Sequence, residues 1–125
     1  MTTLQQYTIV CAPAPVQWAG IRALDLDMSE YVNEYKGNRD YCMERLGDRV
    51  SFAQPGGAFY IFPELPAGTN ESDTEFAERA IREKELLVVP GNIFSESRRH
   101  LRISYAAPRA TLERGMDALT SLLDS

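Results

Sequence analysis

The sequence has few of the residues that most often carry metal or thiol chemistry. Its 125 residues include two cysteines and one histidine. No histidine stands near Cys11 or Cys42 in the sequence, so the zinc-ligand spacing is missing, and two cysteines are too few for a disulfide framework. We therefore expect no metal site, and a reducing cytoplasm is the location that best fits this cysteine usage.

Long apolar runs and an excess of positive charge are also missing. No run approaches the roughly 20 apolar residues that a membrane span needs, and the N-terminus lacks the basic and apolar regions of a signal peptide. Thirteen basic residues against eighteen acidic ones leave a net charge of -5, which repels a phosphate backbone on average. We expect a soluble intracellular protein with neither a membrane nor a nucleic acid as partner.

The length and the 44% apolar content suffice for one compact domain. Residues 1–14 carry a mixed polar and apolar run that looks unanchored. From Val16 the apolar spacing predicts a helix to about Leu26, and Asp27 with Glu30 offers a capping box for a second helix. The apolar positions of that second helix are Tyr31, Val32, Tyr35, Cys42 and Leu46.

After Gly47 the apolar spacing shortens toward two. Apolar or alternating runs predict four strands, at residues 50–53, 58–62, 86–89 and 101–105. Ser72 and Glu75 form a second capping box, which begins a helix between the second and third strands. A last helix is predicted by Leu112, Met116, Leu119 and Leu123. The order α-α-β-β-α-β-β-α predicts an α+β fold, with a small mixed or antiparallel sheet covered by helices.

The candidate nucleophiles and bases lack local partners. His100 fits a partly exposed residue at the start of a strand better than a general base. Lys36 and Lys84 stand among charged neighbours in predicted helices, where a solvated ammonium is expected. Cys42 is expected in the core, and Cys11 has no basic neighbour to lower its pKa.

Arg102 is less easily explained by structure alone, because it interrupts an apolar strand. In a strand, Leu101, Ile103 and Tyr105 face one side and Arg102 faces the other. Its guanidinium could simply face water. A planar group with five donors on a rigid strand is also well suited to a two-pronged grip on a carboxylate.

Three motifs in order resemble a known family. Pro55–Tyr60, Val89–Phe94 and Leu101–Ala106, followed by Leu112–Gly115, closely resemble the C-terminal part of fold-type I, class I/II aminotransferases. The stretch at residues 6–24 is similar to the segment that, in that family, follows the cofactor lysine and leads out of the large domain. The resemblance covers nearly the whole chain.

The resemblance implies a division of the chain and a role for Arg102. Residues 1–26 would be the segment, with a helix, that leads out of an absent large domain, and residues 27–125 would be the small domain that closes over pyridoxal phosphate and substrate. Arg102 stands where the family's arginine binds the substrate α-carboxylate. The residues expected to line the site are Gly57, Phe59, Tyr60, Asn92 and Phe94. By the same resemblance, Tyr7 and Thr8 reach the neighbouring subunit's cofactor in the family's homodimer.

The resemblance also implies what this chain lacks. The family's catalytic lysine and most of its phosphate cradle lie in the large domain, so the chain is expected to be a fragment. Such a fragment is expected neither to hold pyridoxal phosphate alone nor to be active. The full-length enzyme would move an amino group between an amino acid and a 2-oxo acid. Ser95 stands where many relatives have glycine, which leaves substrate preference open.

Two other functions remain open from the residues. One is a free-standing α+β module that binds a small carboxylate or a protein partner without catalysis. The other is an interaction scaffold with an exposed aromatic patch of Tyr31, Tyr35 and Phe59. The second is less favoured because aromatic residues at helical or strand spacing more often belong to the core.

Overall fold

The first part of the chain consists of two short helices without buried residues. The computed structural model describes residues 2–8 and 10–125, so Met1 and Ile9 of the predicted leading segment lie outside the described residues. Helix α1 spans Thr2–Thr8 and helix α2 spans Ala14–Ala23, and all their described residues are exposed. Nothing in the apolar spacing predicts α1.

Helix α2 begins earlier and ends earlier than the spacing from Val16 to Leu26 predicts. Pro15 stands in the first turn of α2, where its fixed φ suits a helix and its missing N–H costs nothing. Residues 1–31 form one compact unit and residues 32–125 form another.

Helix α3 spans Ser29–Leu46. The expected reciprocal capping box with Glu30 is replaced by a single bond, in which the Ser29 amide donates to Asp27 Oδ1 at 2.9 Å. The hydrogen bonds from Ser29 hold the pKa of Asp27 below its ordinary value. Only the second half of α3 reaches the core, because its buried residues are Asn38, Cys42 and Leu46.

The expectation that the aromatic residues of α3 belong to the core is therefore wrong. Tyr31 is 54% exposed and Tyr35 is 42% exposed. Phe59, the third member of the considered aromatic patch, is 40% exposed. The spacing of these aromatic residues in the sequence is the spacing expected of core residues. Within residues 32–125, however, no strand or helix of the core packs over the first half of α3.

The sheet has three antiparallel strands in the order β1-β3-β2. These are β1 at Tyr60–Ile61, β2 at Val89–Pro90 and β3 at Leu101–Ser104. Two further helices complete the fold, α4 at Asp73–Lys84 and α5 at Arg109–Leu123. The α+β class is confirmed, and the sheet is antiparallel.

The prediction of a strand at residues 50–53 is wrong. A 3₁₀ turn at Gly47–Arg49 comes first, and only Ser51 then forms a bridge, with its carbonyl accepting from the Glu64 amide at 2.8 Å. Pro63 and Pro66 stand close to Glu64 on either side and have no N–H to donate. The ladder therefore cannot extend beyond a single bridge at this edge.

The strand predicted at residues 86–89 begins only at Val89. Glu85 adopts a left-handed conformation with φ 53°. The Leu86 amide donates to the Ala80 carbonyl at 3.1 Å. The backbone of Leu86 thus caps α4 and is not available to a neighbouring strand.

One core joins the sheet to helices α3, α4 and α5. The alternation predicted for residues 101–105 is confirmed, because Leu101, Ile103 and Tyr105 are buried while Ser104 is exposed. The capping box of Ser72 and Glu75 at the start of α4 is confirmed as well. Principal members of the core are Cys42, Leu46, Ile61, Phe76, Ala80, Leu101, Ile103, Leu112, Met116 and Leu119. Over the part of the chain that the structure describes, no helix is long and apolar enough to cross a membrane.

Candidate functional site

Arg102 lies in the middle of β3, the central strand of the sheet. Both of its neighbours, Leu101 and Ile103, are buried on the core face. Arg102 itself is half-buried on the opposite face. Because buried side chains on either side fix the strand, the direction in which Arg102 leaves the backbone is fixed too.

The guanidinium of Arg102 packs against two aromatic rings. Its central carbon lies 4.6 Å from the centre of the Tyr60 ring and 4.3 Å from the centre of the Phe94 ring. Both distances are within the range in which a cation is attracted to the face of an aromatic ring. The structure therefore brings together three of the site residues named from the sequence.

In the described part of the chain, Arg102 differs from the other half-buried arginines in having no polar partner. Each of the others forms an ion pair, namely Arg39, Arg45, Arg79 and Arg99. Within residues 2–8 and 10–125, the Arg102 guanidinium has neither an ion pair nor a side-chain hydrogen bond. Its N–H donors are therefore available to a ligand.

The turn that carries Phe94 is fixed at Gly91. Residues Gly91–Ile93 form a 3₁₀ turn directly after β2. The Gly91 amide donates to the His100 carbonyl at 2.7 Å, and a Cβ at Gly91 would lie 2.6 Å from that oxygen. Glycine is therefore required by the close approach of two backbones.

Asp73 of α4 contacts the same turn, and this contact could not be predicted from the sequence. Its fully buried carboxylate accepts a hydrogen bond from the Asn92 amide at 2.7 Å. The Asn92 side chain donates to Thr74 Oγ1 at 3.2 Å. An acidic residue in the first turn of a helix is ordinary, so only the tertiary contact identifies Asp73. Asn92 is thus a residue that fixes the turn.

The segment before β1 contains a strained residue. Ala58 has φ 57°, a left-handed conformation that costs about 1–2 kcal/mol for a residue with a Cβ. The Tyr105 hydroxyl donates to the Ala58 carbonyl at 3.1 Å, and the Tyr105 amide donates to the Phe59 carbonyl at 3.0 Å. Burial raises the pKa of Tyr105, so its hydroxyl stays protonated as the donor of this bond. These bonds fix the backbone that leads to Tyr60.

The structure shows separate surroundings for the remaining predicted site residues. The Phe59 ring lies 4.3 Å from the Tyr60 ring. Gly57 lines an open cavity of about 260 Å³ together with Lys36 and Arg39. Tyr7 and Thr8 are exposed on α1, where the Thr8 hydroxyl donates to the Leu4 carbonyl at 2.8 Å.

The residues that the sequence does not favour as catalysts lie in the core, against other side chains or at the exposed surface. The His100 ring stacks on Phe62 at 5.0 Å, and its Nδ1 lies 3.1 Å from Ser97 Oγ. Cys42 is fully buried, and burial raises the pKa of its thiol to about 11. Lys36 and Lys84 are exposed. Among the residues with described coordinates, no cluster of three His, Cys, Asp or Glu side chains is placed to hold a metal ion.

Comparison with known proteins identifies the class to which this fold and site belong. Residues 2–119 match the family described as aminotransferase class I and II. The chain is 31% identical to the aspartate aminotransferase of Thermotoga maritima over 126 residues, which cover 100% of this chain and 32% of that protein. It is 35% identical to aromatic-amino-acid aminotransferase 2 of Thermococcus litoralis over 130 residues, which cover 98% of this chain and 33% of that protein.

The solved structures agree with the sequence comparisons. The crystal structure of the Thermotoga maritima aspartate aminotransferase matches with a TM-score of 0.85 and 31% identity, over 98% of this chain and 32% of that one. The aromatic aminotransferase of Pyrococcus horikoshii matches with a TM-score of 0.85 and 29% identity, over 98% and 34%. The chain belongs to the class I and II aminotransferase family. It spans about a third of the length of the curated relatives that it matches.

Proposed function

We propose that this chain is the C-terminal, small domain of a pyridoxal-phosphate-dependent aminotransferase. The full-length enzyme moves an amino group between an amino acid and a 2-oxo acid. Family membership over residues 2–119 and the one-third coverage of the relatives support this assignment. In the full-length enzyme, residues 1–26 lead out of the large domain and residues 27–125 form the small domain. The separation of the chain into two units after Tyr31 is in keeping with a boundary in this region.

The observation that carries the proposal is the free guanidinium of Arg102 on the central strand. A guanidinium presents pairs of parallel N–H groups that match the two oxygens of a carboxylate. Arg102 has no competing acidic partner in the described residues and is held against two rings. It therefore binds the α-carboxylate of the substrate and orients the rest of the molecule. Such orientation can supply several kcal/mol of a reaction barrier.

The residues of this chain do not fit a covalent site for pyridoxal phosphate. A lysine that forms a Schiff base is activated by desolvation or by a neighbouring cation, whereas Lys36 and Lys84 are exposed on helices. In the full-length enzyme the cofactor supplies the electron sink, and the large domain carries its lysine. The part of this chain is to bind and orient the substrate.

Further contacts follow from the same proposal. Gly57, Phe59 and Asn92 line the substrate site beside Arg102. Tyr7 and Thr8 contact the cofactor of the neighbouring subunit in a homodimer. The names of the relatives indicate two classes of amino donor for testing, aspartate and the aromatic amino acids.

Replacement of the arginine in the full-length enzyme tests this function. Arg102→Lys keeps the positive charge but loses the paired N–H groups. We expect kcat/KM for L-aspartate or L-phenylalanine, with 2-oxoglutarate as acceptor, to fall by an equivalent of about 1–3 kcal/mol, or roughly 5- to 150-fold.

The matched control is Arg82→Lys, because Arg82 is an exposed residue of α4. We expect its steady-state constants to equal those of the unaltered enzyme. If Arg102→Lys also leaves kcat/KM unchanged, Arg102 does not bind the substrate.

A further inference from the structure

We infer that Tyr60 and Phe94 are positioning residues of the substrate site, because their rings hold the Arg102 guanidinium in the direction that a carboxylate requires. The two rings are called the aromatic clamp below. This inference rests on the proposed role of Arg102 and adds to it what keeps that side chain in place.

The sheet register explains how one half of the clamp arises. Tyr60 of β1 is paired with Ser104 of β3. Arg102 lies two residues from Ser104 on the same strand, and therefore on the same face of the sheet. It is a diagonal neighbour of Tyr60, a separation that aromatic and long side chains can span. The observed distance of 4.6 Å between the guanidinium carbon and the ring centre follows from this pairing.

The other half of the clamp comes from the opposite edge of β3. Val89 of β2 is paired with Arg102. The chain then turns through Gly91–Ile93, and Phe94 follows with its amide donating to the Gly91 carbonyl at 2.8 Å. The turn brings the Phe94 ring to 4.3 Å from the guanidinium carbon. The two rings thus reach Arg102 from the two strands that flank it.

Packing between aromatic rings suits an arginine side chain that must bind a carboxylate. A ring attracts a cation through its face and takes up none of the in-plane N–H donors. Arg99 shows the contrasting arrangement, because its guanidinium donates to the carbonyls of Leu65, Pro66 and Thr69. That arrangement fixes Arg99 but uses its donors. Arg102 is restrained while its donors and its charge stay available.

The hydroxyl of Tyr60 is not needed for this role. Within the described residues it makes no hydrogen bond to another side chain or carbonyl. The clamp therefore depends on the presence of a ring at each position, and conservative replacements that keep the ring are expected to keep the function.

Steady-state kinetics of the full-length enzyme test the clamp, with L-aspartate or L-phenylalanine as donor and 2-oxoglutarate as acceptor. Tyr60→Leu and Phe94→Leu are each expected to raise the KM of the donor about 5- to 20-fold, the scale of a partly desolvated cation–π contact. The kcat is expected to change less than about threefold, because Arg102 is still present in these variants to orient the substrate once it is bound. Tyr60→Phe and Phe94→Tyr are expected to keep the original KM within about twofold, since both keep the ring.

Tyr41→Leu is the matched control for loss of an aromatic ring. The centre of the Tyr41 ring lies 3.6 Å from the guanidinium carbon of a different residue, Arg109, so its replacement is expected to leave the KM unchanged. Phe94 is 51% exposed, and Phe94→Leu is therefore expected to fold even if Tyr60→Leu does not. Thermal unfolding of each variant separates loss of fold from loss of positioning.

A double-mutant cycle with Arg102→Met shows whether the rings act through the arginine. In that background Phe94→Leu should change the KM by less than about twofold, because coupled residues are not additive. An equal factor in both backgrounds overturns the clamp. The clamp is also overturned if Tyr60→Leu and Phe94→Leu keep the original KM while Arg102→Met raises it. An unaltered KM in Arg102→Met itself is a different result, because it removes the proposed role of Arg102.

Discussion

At the scale of single residues, the site depends on a close approach between two backbones at Gly91. The His100 carbonyl accepts a hydrogen bond from Gly91 and stands where a side chain would begin. Backbone atoms cannot rotate away as the end of a long side chain can. Any Cβ at this position must therefore displace either the turn that carries Phe94 or the strand that carries Arg102.

Gly91→Ala is expected to lower the free energy of unfolding by about 1–3 kcal/mol, the usual cost of forcing extra atoms into a packed site. Chemical denaturation of the purified protein measures this change. Gly68→Ala serves as its control, because a Cβ at Gly68 meets no atom within 4 Å. Equal stability of the two variants would show that the approach at Gly91 can relax without cost.

Asp73 is the residue-scale feature that sequence reasoning missed. Its carboxylate is fully buried and accepts a backbone hydrogen bond from the turn after β2. Sequence can place an acidic residue after the Ser72 cap, where it suits the helix dipole. It cannot show that the same residue reaches a turn that comes much later in the chain.

At the scale of elements, α4 is specified by its own sequence. Ser72 Oγ accepts from the Glu75 amide at 3.3 Å, and the Glu75 carboxylate accepts from the Ser72 amide at 2.8 Å. The Ser72 amide and the Ser72 hydroxyl both donate to the Glu75 carboxylate, and these two bonds hold the pKa of Glu75 below its ordinary value. A carboxylate with a lowered pKa stabilises the fold above the pKa of the unfolded chain. That contribution is lost as the pH falls through the lower, folded value.

Ser72→Ala removes the side-chain half of the cap and is expected to lower the free energy of unfolding by about 1 kcal/mol at neutral pH. The difference between variant and parent should shrink in acid, because the bond that the Ser72 hydroxyl donates to the Glu75 carboxylate at 2.8 Å weakens as Glu75 becomes protonated. Denaturation at a series of pH values measures both effects. Ser121→Ala, on the exposed face of α5, is the control. A difference that stays constant down to strongly acidic pH would contradict a stabilising bond between the Ser72 hydroxyl and the Glu75 carboxylate.

The strands illustrate the limit of element-scale prediction. The alternation at residues 101–105 indicates β3 correctly, because β3 pairs on both sides and buries one face. The runs at 50–53 and 86–89 are also rich in apolar residues, yet one forms a single bridge and the other begins only at Val89. Backbone hydrogen bonds to residues outside each run decide this outcome, because Ser51 pairs only with Glu64 and the Leu86 amide is used by the end of α4.

At the scale of the whole molecule, the chain spans about a third of the length of the curated relatives that it matches. Its contribution under the proposed function is a rigid platform for one substrate-binding arginine. Because its two lysines are exposed, the 125-residue chain alone is not expected to hold the cofactor.

Addition of pyridoxal phosphate to the isolated chain tests this expectation. We expect no absorbance band of a lysine aldimine at equimolar cofactor and no transfer of an amino group from L-aspartate to 2-oxoglutarate. The double variant Lys36→Arg, Lys84→Arg is the control that separates reaction at a lysine from reaction at the N-terminal amine. A band that appears in the parent chain and disappears in that variant would contradict the proposed division of labour.

The sequence by itself determined the elements whose interactions are local. Helix periodicity and the Ser72 cap defined α4, the apolar spacing defined α5, and alternation placed Arg102 on the face opposite the core. The motif resemblance added the family, which the comparisons confirm. All of these depend on residues a few positions apart, so the information lies within short stretches of chain.

Only the tertiary structure decided how the surroundings of Arg102 are built. The contacts of Tyr60 and Phe94 with its guanidinium depend on the pairing of β3 with β1 on one side and β2 on the other. The buried carboxylate that fixes the Phe94 turn comes from α4. Such contacts form only when folding closes long loops between segments that carry no local sign of one another.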